Sequence, residues 1–228
     1  MNNNKSMQFL YGDRELLLTV CDILAADASV VVNSTDRDLR HDNKLSASIV
    51  SAAGNEIQAE SQQLIQQYGR IDAGMVVYTT AGELDYEAVL HIAPPQYGEG
   101  EEQAILERSI SRSLLICETN AWSSIAFPAL GVSFNGIPVE LCAQAFFRSI
   151  TSFWDARLQS DVEKIMLCLT AKQFDAFFHA FRNDAIEGEE VVEQNQPQED
   201  EESQVGYIDL KDIEAESQDD DEMNEWFK

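Results

Sequence analysis

Apolar and polar positions along the chain alternate between two rhythms. "SVVVNS" (residues 29–34) centres on a short, β-branched apolar run, Val30 to Val32, as expected of a strand covered on both faces. "AVLHIAPP" (88–95) is a second buried strand, stopped by Pro94 and Pro95, which cannot extend a ladder. "MQFLYG" and "ELLLTVCDI" predict a first hairpin. "GMVVYTTAG" predicts a strand ended by Gly82, and "SIAFPAL" and "EKIMLCLT" predict two more. Between these runs the apolar spacing turns helical. Residues 46–69 place Ile49, Ile57, Leu64 and Ile65 near one face, with Gly69 as a stop. Residues 101–121 predict an amphipathic helix. Residues 138–156 predict another with Pro138 in its first turn, and residues 171–184 a last one.

Strand–helix alternation of this kind argues for an α/β fold: a mixed, mostly parallel sheet with helices on both faces. Ligands of such sheets bind outside the carboxyl ends of the strands. The loops after "VVVN" and "AFPAL" lie there.

The pattern collapses after Asn183, which divides the chain into a folded body, 1–183, and a tail, 184–228. The tail carries 18 acidic and 2 basic residues; the body carries 23 and 13. The tail is polar and low in complexity, so it is expected to be disordered. Two islands interrupt it, "VGYIDLKDI" and "DDDEMNEWFK". Each sets apolar or aromatic residues among carboxylates, as a recognition peptide docking on a protein partner or back on the body would. A net charge of −26 argues against direct nucleic-acid binding, which rests on phosphate neutralisation by Lys and Arg.

No apolar run approaches the ~20 residues of a membrane span. The start lacks a signal-peptide core, so a cytoplasmic protein without membrane contact is expected. The four cysteines, Cys21, Cys117, Cys142 and Cys168, sit in apolar stretches without a CxxC and are read as reduced core residues. No metal set or cofactor motif is present. His91 reads as a core histidine, and His179 as packing beside Phe177, Phe178 and Phe181.

Residues 31–54, "VVNSTDRDLRHDNKLSASIVSAAG", follow a strand, polar loop, helix layout suited to holding phosphate, yet residues 34–48 contain no glycine. In order along the chain stand "CDIL", "VVNSTD", "GMVVYTTAGEL" with "LHIAPP", and "SIAFPALGVSFNGIPVE". Together these resemble the macro domain, an ADP-ribose-binding α/β module, over roughly residues 11–183. The resemblance implies a three-layer α/β/α fold. "CDIL" is similar to the family's Gly-Asp-Ile-Thr turn, so Asp22 matches the aspartate that accepts from the adenine amino group. Ile23 matches the neighbour whose backbone amide meets the ring. Asn33 matches the first asparagine of the Val-Asn-Ala-Ala-Asn strand end, and Asp36 stands where its last asparagine orients the distal ribose.

Other positions depart from the family. Its diphosphate-wrapping glycines are replaced by His41, Asp42, Asn43 and Lys44. Asp42 and Asn43 tolerate the left-handed region better than most residues, which would preserve the loop's shape. Arg37, Arg40, His41 and Lys44 suggest anion binding by side chains. The aspartate of the hydrolytic members is matched by Ser46, which cannot act as a carboxylate base. The second phosphate loop is matched by Gly131, Val132, Ser133, Phe134 and Asn135, with Gly136 behind them and Ile137 in place of an aromatic.

Three functions follow as expectations. The first is binding of ADP-ribose or an ADP-ribosylated macromolecule, without efficient hydrolysis. The second is ADP-ribosyl hydrolysis at a rearranged site, with Asp36 and Ser46 as weak catalytic candidates. The third is a protein-interaction module that uses its acidic tail.

Overall fold

Residues 5–186 and 207–209 are described in a computed structural model. Two strands, β1 (Ser6–Tyr11) and β2 (Arg14–Val20), form the antiparallel hairpin. A short 3-10 turn (Ile23–Ala25) leads to β3 (Val30–Ser34). Next come α1 (Lys44–Ala53), α2 (Asn55–Tyr68), β4 (Val76–Thr79) and β5 (Ala88–Ile92). The chain continues through α3 (Glu102–Thr119), β6 (Ser124–Pro128), α4 (Val139–Ala156), β7 (Lys164–Leu169) and α5 (Ala171–Ile186).

The sheet order is β4-β5-β3-β6-β7-β2-β1, and an eighth strand, β8 (Tyr207–Asp209), closes the β1 edge. The run β5-β3-β6-β7-β2 is parallel throughout, and β4, β1 and β8 run the other way. One face carries the larger core, where α3, α4 and α5 bring Leu106, Ile110, Phe146, Trp154, Phe177 and Phe181 against Phe9, Leu16, Leu90 and Phe127. The other face packs Ile49 and Ile57, from α1 and α2, against Val31, Val89 and Met166. Helices therefore cover both faces of a mixed sheet, the three-layer α/β/α architecture.

The predicted helix over 46–69 is two helices. Gly54 takes φ 82° and ends α1, its amide bonding back to Val50 O. A glycine reaches this backbone conformation without a Cβ penalty. The Glu83 amide then takes the carbonyl of Ala53 at 2.9 Å, which locks the break to the β4–β5 connection. His91 is fully buried, as expected. His179 is not part of the core: Phe177 and Phe181 are fully buried, but His179 faces outward against the half-buried Phe178.

Helix α5 continues to Ile186, and Tyr207–Asp209, within the "VGYIDLKDI" island, pair in parallel with Gln8–Leu10. The expectations of disorder for the rest of the tail and of a recognition role for "DDDEMNEWFK" fall outside the described residues.

Candidate ligand-binding site

Strands β2, β3, β6 and β7 all end at the same side of the sheet. The segments that follow them enclose a cavity of about 700 Å³.

The first wall follows β2. Asp22 caps the 3-10 turn, its Oδ1 accepting from Leu24 N at 3.1 Å. The Tyr86 hydroxyl lies 3.1 Å from both Ile23 O and Ala26 O and braces that turn from below. Asp22 and Ile23 line the cavity.

The second wall is the end of β3 and the start of α1. Asn43 is the N-cap: its Oδ1 accepts from Ser46 N at 2.9 Å, and its Nδ2 donates to Ser34 O at 2.8 Å. A capping Asn at an extended backbone satisfies orphan amides of the first turn. Asn43 and Lys44 line the cavity. The turn's residual partial positive charge suits an anion. Thr35, also in the lining, has a buried Oγ1 without a hydrogen-bond partner among the described residues.

The third wall is the turn after β6. Gly131 takes φ 70°, and its carbonyl accepts from Asn135 N at 3.0 Å and Ile137 N at 3.2 Å. A Cβ on Gly131 would stand 2.8 Å from Ile137 Cγ1 and 3.1 Å from Pro94 Cβ, so only glycine fits. Asn135 is held by Nδ2 donating to Pro94 O and by its carbonyl accepting from Gln96 Nε2. Gly131, Ser133, Phe134 and Asn135 line the cavity, and Phe134 stands on its rim at 73% exposure. Ile137 is buried.

Several candidates are placed elsewhere. Asp36 organises its own loop. Its Oδ1 accepts from the amides of Asp38 (2.8 Å) and Arg40 (3.2 Å), and its Oδ2 meets Arg40 Nε at 3.1 Å. Burial raises this carboxyl, but the bonds from Arg40 and Asp38 outweigh it and leave it below the usual carboxylate range. Val132 packs against the larger core. Asn33 and Ser46 are fully buried. None of Asp36, Val132, Asn33 and Ser46 is part of the cavity lining.

Asn33 and Ser46 belong to a polar network under the loop. Ser46 Oγ donates to Asn33 Oδ1 at 2.8 Å. The amide nitrogen of Asn33 reaches Nδ1 of His41 at 3.2 Å and Nδ1 of His91 at 3.1 Å. Its two hydrogens serve both rings, so both Nδ1 atoms accept. Each ring then carries its proton on Nε2: His41 donates to Ser61 Oγ and His91 to Thr79 Oγ1, both at 3.0 Å. Thr79 passes its own proton to Thr80 O at 2.9 Å. Both imidazoles are neutral. Burial pushes His41 down against the pull of Asp36 and Asp42, and burial, then the nearby His41, lowers His91 to about 3.

The left-handed positions of the loop are Leu39 (φ 50°) and His41 (φ 60°), not Asp42 and Asn43. Asn43 is extended because it caps a helix. His41 turns inward, and Leu39 packs in a small cluster with Ile71 and Ala93. The basic loop does not converge on the cavity. Arg40 pairs with Asp36 and Asp42, His41 is buried, and Lys44 is the one cation among the lining residues, beside Asp22 and Asp42.

Sequence reasoning missed the fourth wall, after β7. Cys168, Thr170 and Gln173 line the cavity, as does Cys21 at the end of β2. Cys21 is half-exposed, not a core residue. Thr170 and Gln173 bond each other's backbone amides reciprocally at the start of α5. The signal available was that "EKIMLCLT" is a parallel strand, whose carboxyl end faces the ligand side like those of "VVVN" and "AFPAL".

Fold and cavity define an α/β module with a cleft at the strand ends, bounded by one helix N-terminus and one glycine-hinged turn. Residues 32–146 match the family model for the macro domain. An uncharacterized protein of Saccharolobus solfataricus is 33% identical over 171 residues, covering 74% of this chain and 93% of that one. The O-acetyl-ADP-ribose deacetylase of Klebsiella pneumoniae is 33% identical over 134 residues, covering 58% and 77%. The Oceanobacillus iheyensis macrodomain, in its structure with ADP, superimposes with a TM-score of 0.75 at 21% identity, covering 80% of this chain and 97% of that one. The chain belongs to the macro domain family.

Proposed function

We propose that the chain binds ADP-ribose, or a related adenine nucleotide, in the cavity between the strand ends, without efficient hydrolysis. One observation carries the reading. The Asp22 carboxylate, the α1 N-terminus and the Gly131–Asn135 turn converge on one cavity of about 700 Å³. That volume lies within the range of small-molecule sites. Asp22 is the acceptor for the adenine amino group. The diphosphate lies between the first amides of α1 and those of the Gly131–Asn135 turn, with Lys44 as the side-chain cation. Thr35 Oγ1 gains from the ligand the partner it lacks in the protein. The ADP in the Oceanobacillus iheyensis structure supports the ligand class. The placement of Ser46 and Asp36 outside the cavity lining supports binding without turnover.

The test is calorimetric titration of ADP-ribose into the full chain, with Asp22→Ala as control. Micromolar binding, about −8 kcal/mol, that the control loses is the expected result. No heat at millimolar ligand rejects the reading.

A second reading, ADP-ribosyl or acetyl-ADP-ribose hydrolysis, is favoured by the deacetylase relative and by Asp42, a carboxylate in the cavity lining. Turnover of O-acetyl-ADP-ribose or a mono-ADP-ribosylated protein, lost in Asp42→Ala but not in Asp36→Ala, would establish it.

A further inference from the structure

Two of the four cysteines line the same cavity. Cys21 follows the end of β2, and Cys168 is the penultimate residue of β7. These strands are parallel neighbours, with Thr19 opposite Cys168 and Val20 opposite Leu169. Side chains alternate along a strand, so Thr19 and Cys21 face the side on which Cys168 lies. Cys168 belongs to the core cluster of that face, Cys21 packs against it, and both line the cavity. Cys117 and Cys142 are fully buried in the cluster on the opposite face. The chain thus presents one thiol pair to the cleft and hides its other two cysteines.

We infer that Cys21 and Cys168 are a redox-active dithiol in the cavity wall, a modification site that hydroperoxides convert to an intramolecular disulfide. Cys21 is the attacking sulfur because it is half-exposed, whereas Cys168 is buried. Its thiol is also acidified to about 7: the hydrogen bond from Cys168 lowers it most, burial and Asp22 oppose, and Thr19 assists. The thiolate is the reactive form. Hydrogen bonding to Cys21, then burial, holds the Cys168 thiol protonated well above the usual range.

The chemistry balances. The Cys21 thiolate attacks one peroxide oxygen, the O–O bond breaks, and Cys21 becomes a sulfenic acid while the departing oxygen takes a proton to leave as water. Cys168 sulfur then attacks the sulfenic sulfur. The S–S bond forms, the S–O bond breaks, and the hydroxide leaves as water with the Cys168 proton. Two thiols are oxidised, and one hydroperoxide is reduced to two waters or, for an alkyl hydroperoxide, to water and an alcohol.

Asp22 is bonded directly to Cys21. The disulfide therefore ties the wall that carries Asp22 and Ile23 to the end of β7 and changes the cleft. The dithiol itself does not depend on the nucleotide reading.

The full chain is treated with hydrogen peroxide, the remaining thiols are alkylated after unfolding, and the peptides are mapped. The expected result is loss of two hydrogens, a Cys21–Cys168 cross-linked peptide, and alkylated Cys117 and Cys142. Phenylarsine oxide, which needs two thiols within reach, is expected to bind one-to-one and to lose that binding in Cys21→Ser. Sulfinic acid at Cys21 with Cys168 still free, a cross-link between two chains, or an unreactive Cys21 each overturns the inference. These readouts on the wild-type chain stand even if Cys168→Ser fails to fold. ADP-ribose titrated into the oxidised and reduced forms is a separate measurement: absence of binding to both forms rejects the nucleotide reading and leaves the dithiol intact.

Discussion

His41 and His91 stand with ring centroids 5.3 Å apart, and their Nδ1 atoms accept from the same amide nitrogen, that of Asn33. A proton on either Nδ1 would face that amide with a donor, so the loop over the cleft rests on two imidazoles kept neutral.

Acidification therefore weakens the fold. Free imidazole titrates near 6.5 in the unfolded chain, while in the folded protein His91 lies at about 3 and His41 is lowered. Below pH 6.5 the unfolded state binds more protons, so stability falls, by up to about 1.4 kcal/mol per pH unit for each histidine. For His91 the loss runs from pH 6.5 down to about 3. Urea midpoints at pH 7 and pH 5 check this. Nitrogen-resolved NMR is expected to show both rings as neutral Nε2–H tautomers at pH 7.

Removing Asn33 is a test of structure before it is a test of binding. Asn33→Ala leaves His91 Nδ1 without its partner and leaves Ser46 Oγ and His41 Nδ1 only each other, 3.1 Å apart, at a cost of about 1–3 kcal/mol for each unsatisfied buried group. Thermal melts are expected to drop by several degrees or more. Ligand affinity, measured where the variant remains folded, is expected to change less than in an Asp22 variant.

Asp22 has two duties, which two substitutions separate. Asp22→Asn keeps a capping oxygen for Leu24 N, and stability is expected to stay within about 0.5 kcal/mol. It loses the charged acceptor, worth about 1.5–3 kcal/mol, so ADP-ribose affinity is expected to fall roughly ten- to a hundred-fold. Asp22→Ala removes the cap as well and costs about 1 kcal/mol of stability. Paired melts and titrations distinguish the two effects.

Gly131→Ala is expected to damage the second turn. The left-handed backbone costs a residue with a Cβ roughly 1–2 kcal/mol, and that Cβ would lie 2.8 Å from Ile137 Cγ1. A lowered melting temperature together with weaker nucleotide binding is the expected pair of results.

A chain ending at Ile186 lacks β8 and bares the outer edge of β1. Exposed edges pair with other chains. Faster amide exchange within β1 and concentration-dependent self-association are expected, by exchange mass spectrometry and sedimentation.

The alternation of elements was legible because strand and helix periods are local. "SVVVNS" and "AVLHIAPP" carry their burial in their own composition, and the family resemblance of "CDIL" and "VVNSTD" led to the right fold. The helix break at Gly54 was not legible, since a lone glycine within a helical pattern is tolerated at a cost of ~1 kcal/mol. What decides it is the contact between Ala53 O and the Glu83 amide. The fate of Asn33 was hidden for the same reason: one histidine partner lies 8 residues away and the other 58. His41 and Leu39 took the left-handed positions because Asn43 was committed to capping α1. Cys21 and Cys168 read as core from composition, and only the register of β2 on β7 brings them to one cleft.

The pairing of Gln8 with Tyr207 joins residues about 200 positions apart, which gives the fold an order in time. The chain emerges from the ribosome at roughly 5–20 residues per second. The first strand of the sheet is thus made well before its outer neighbour. For on the order of ten seconds or more the nascent sheet carries a bare rail. The segment that closes it arrives behind a long acidic stretch, so that edge is completed only after the other seven described strands of the sheet have been made.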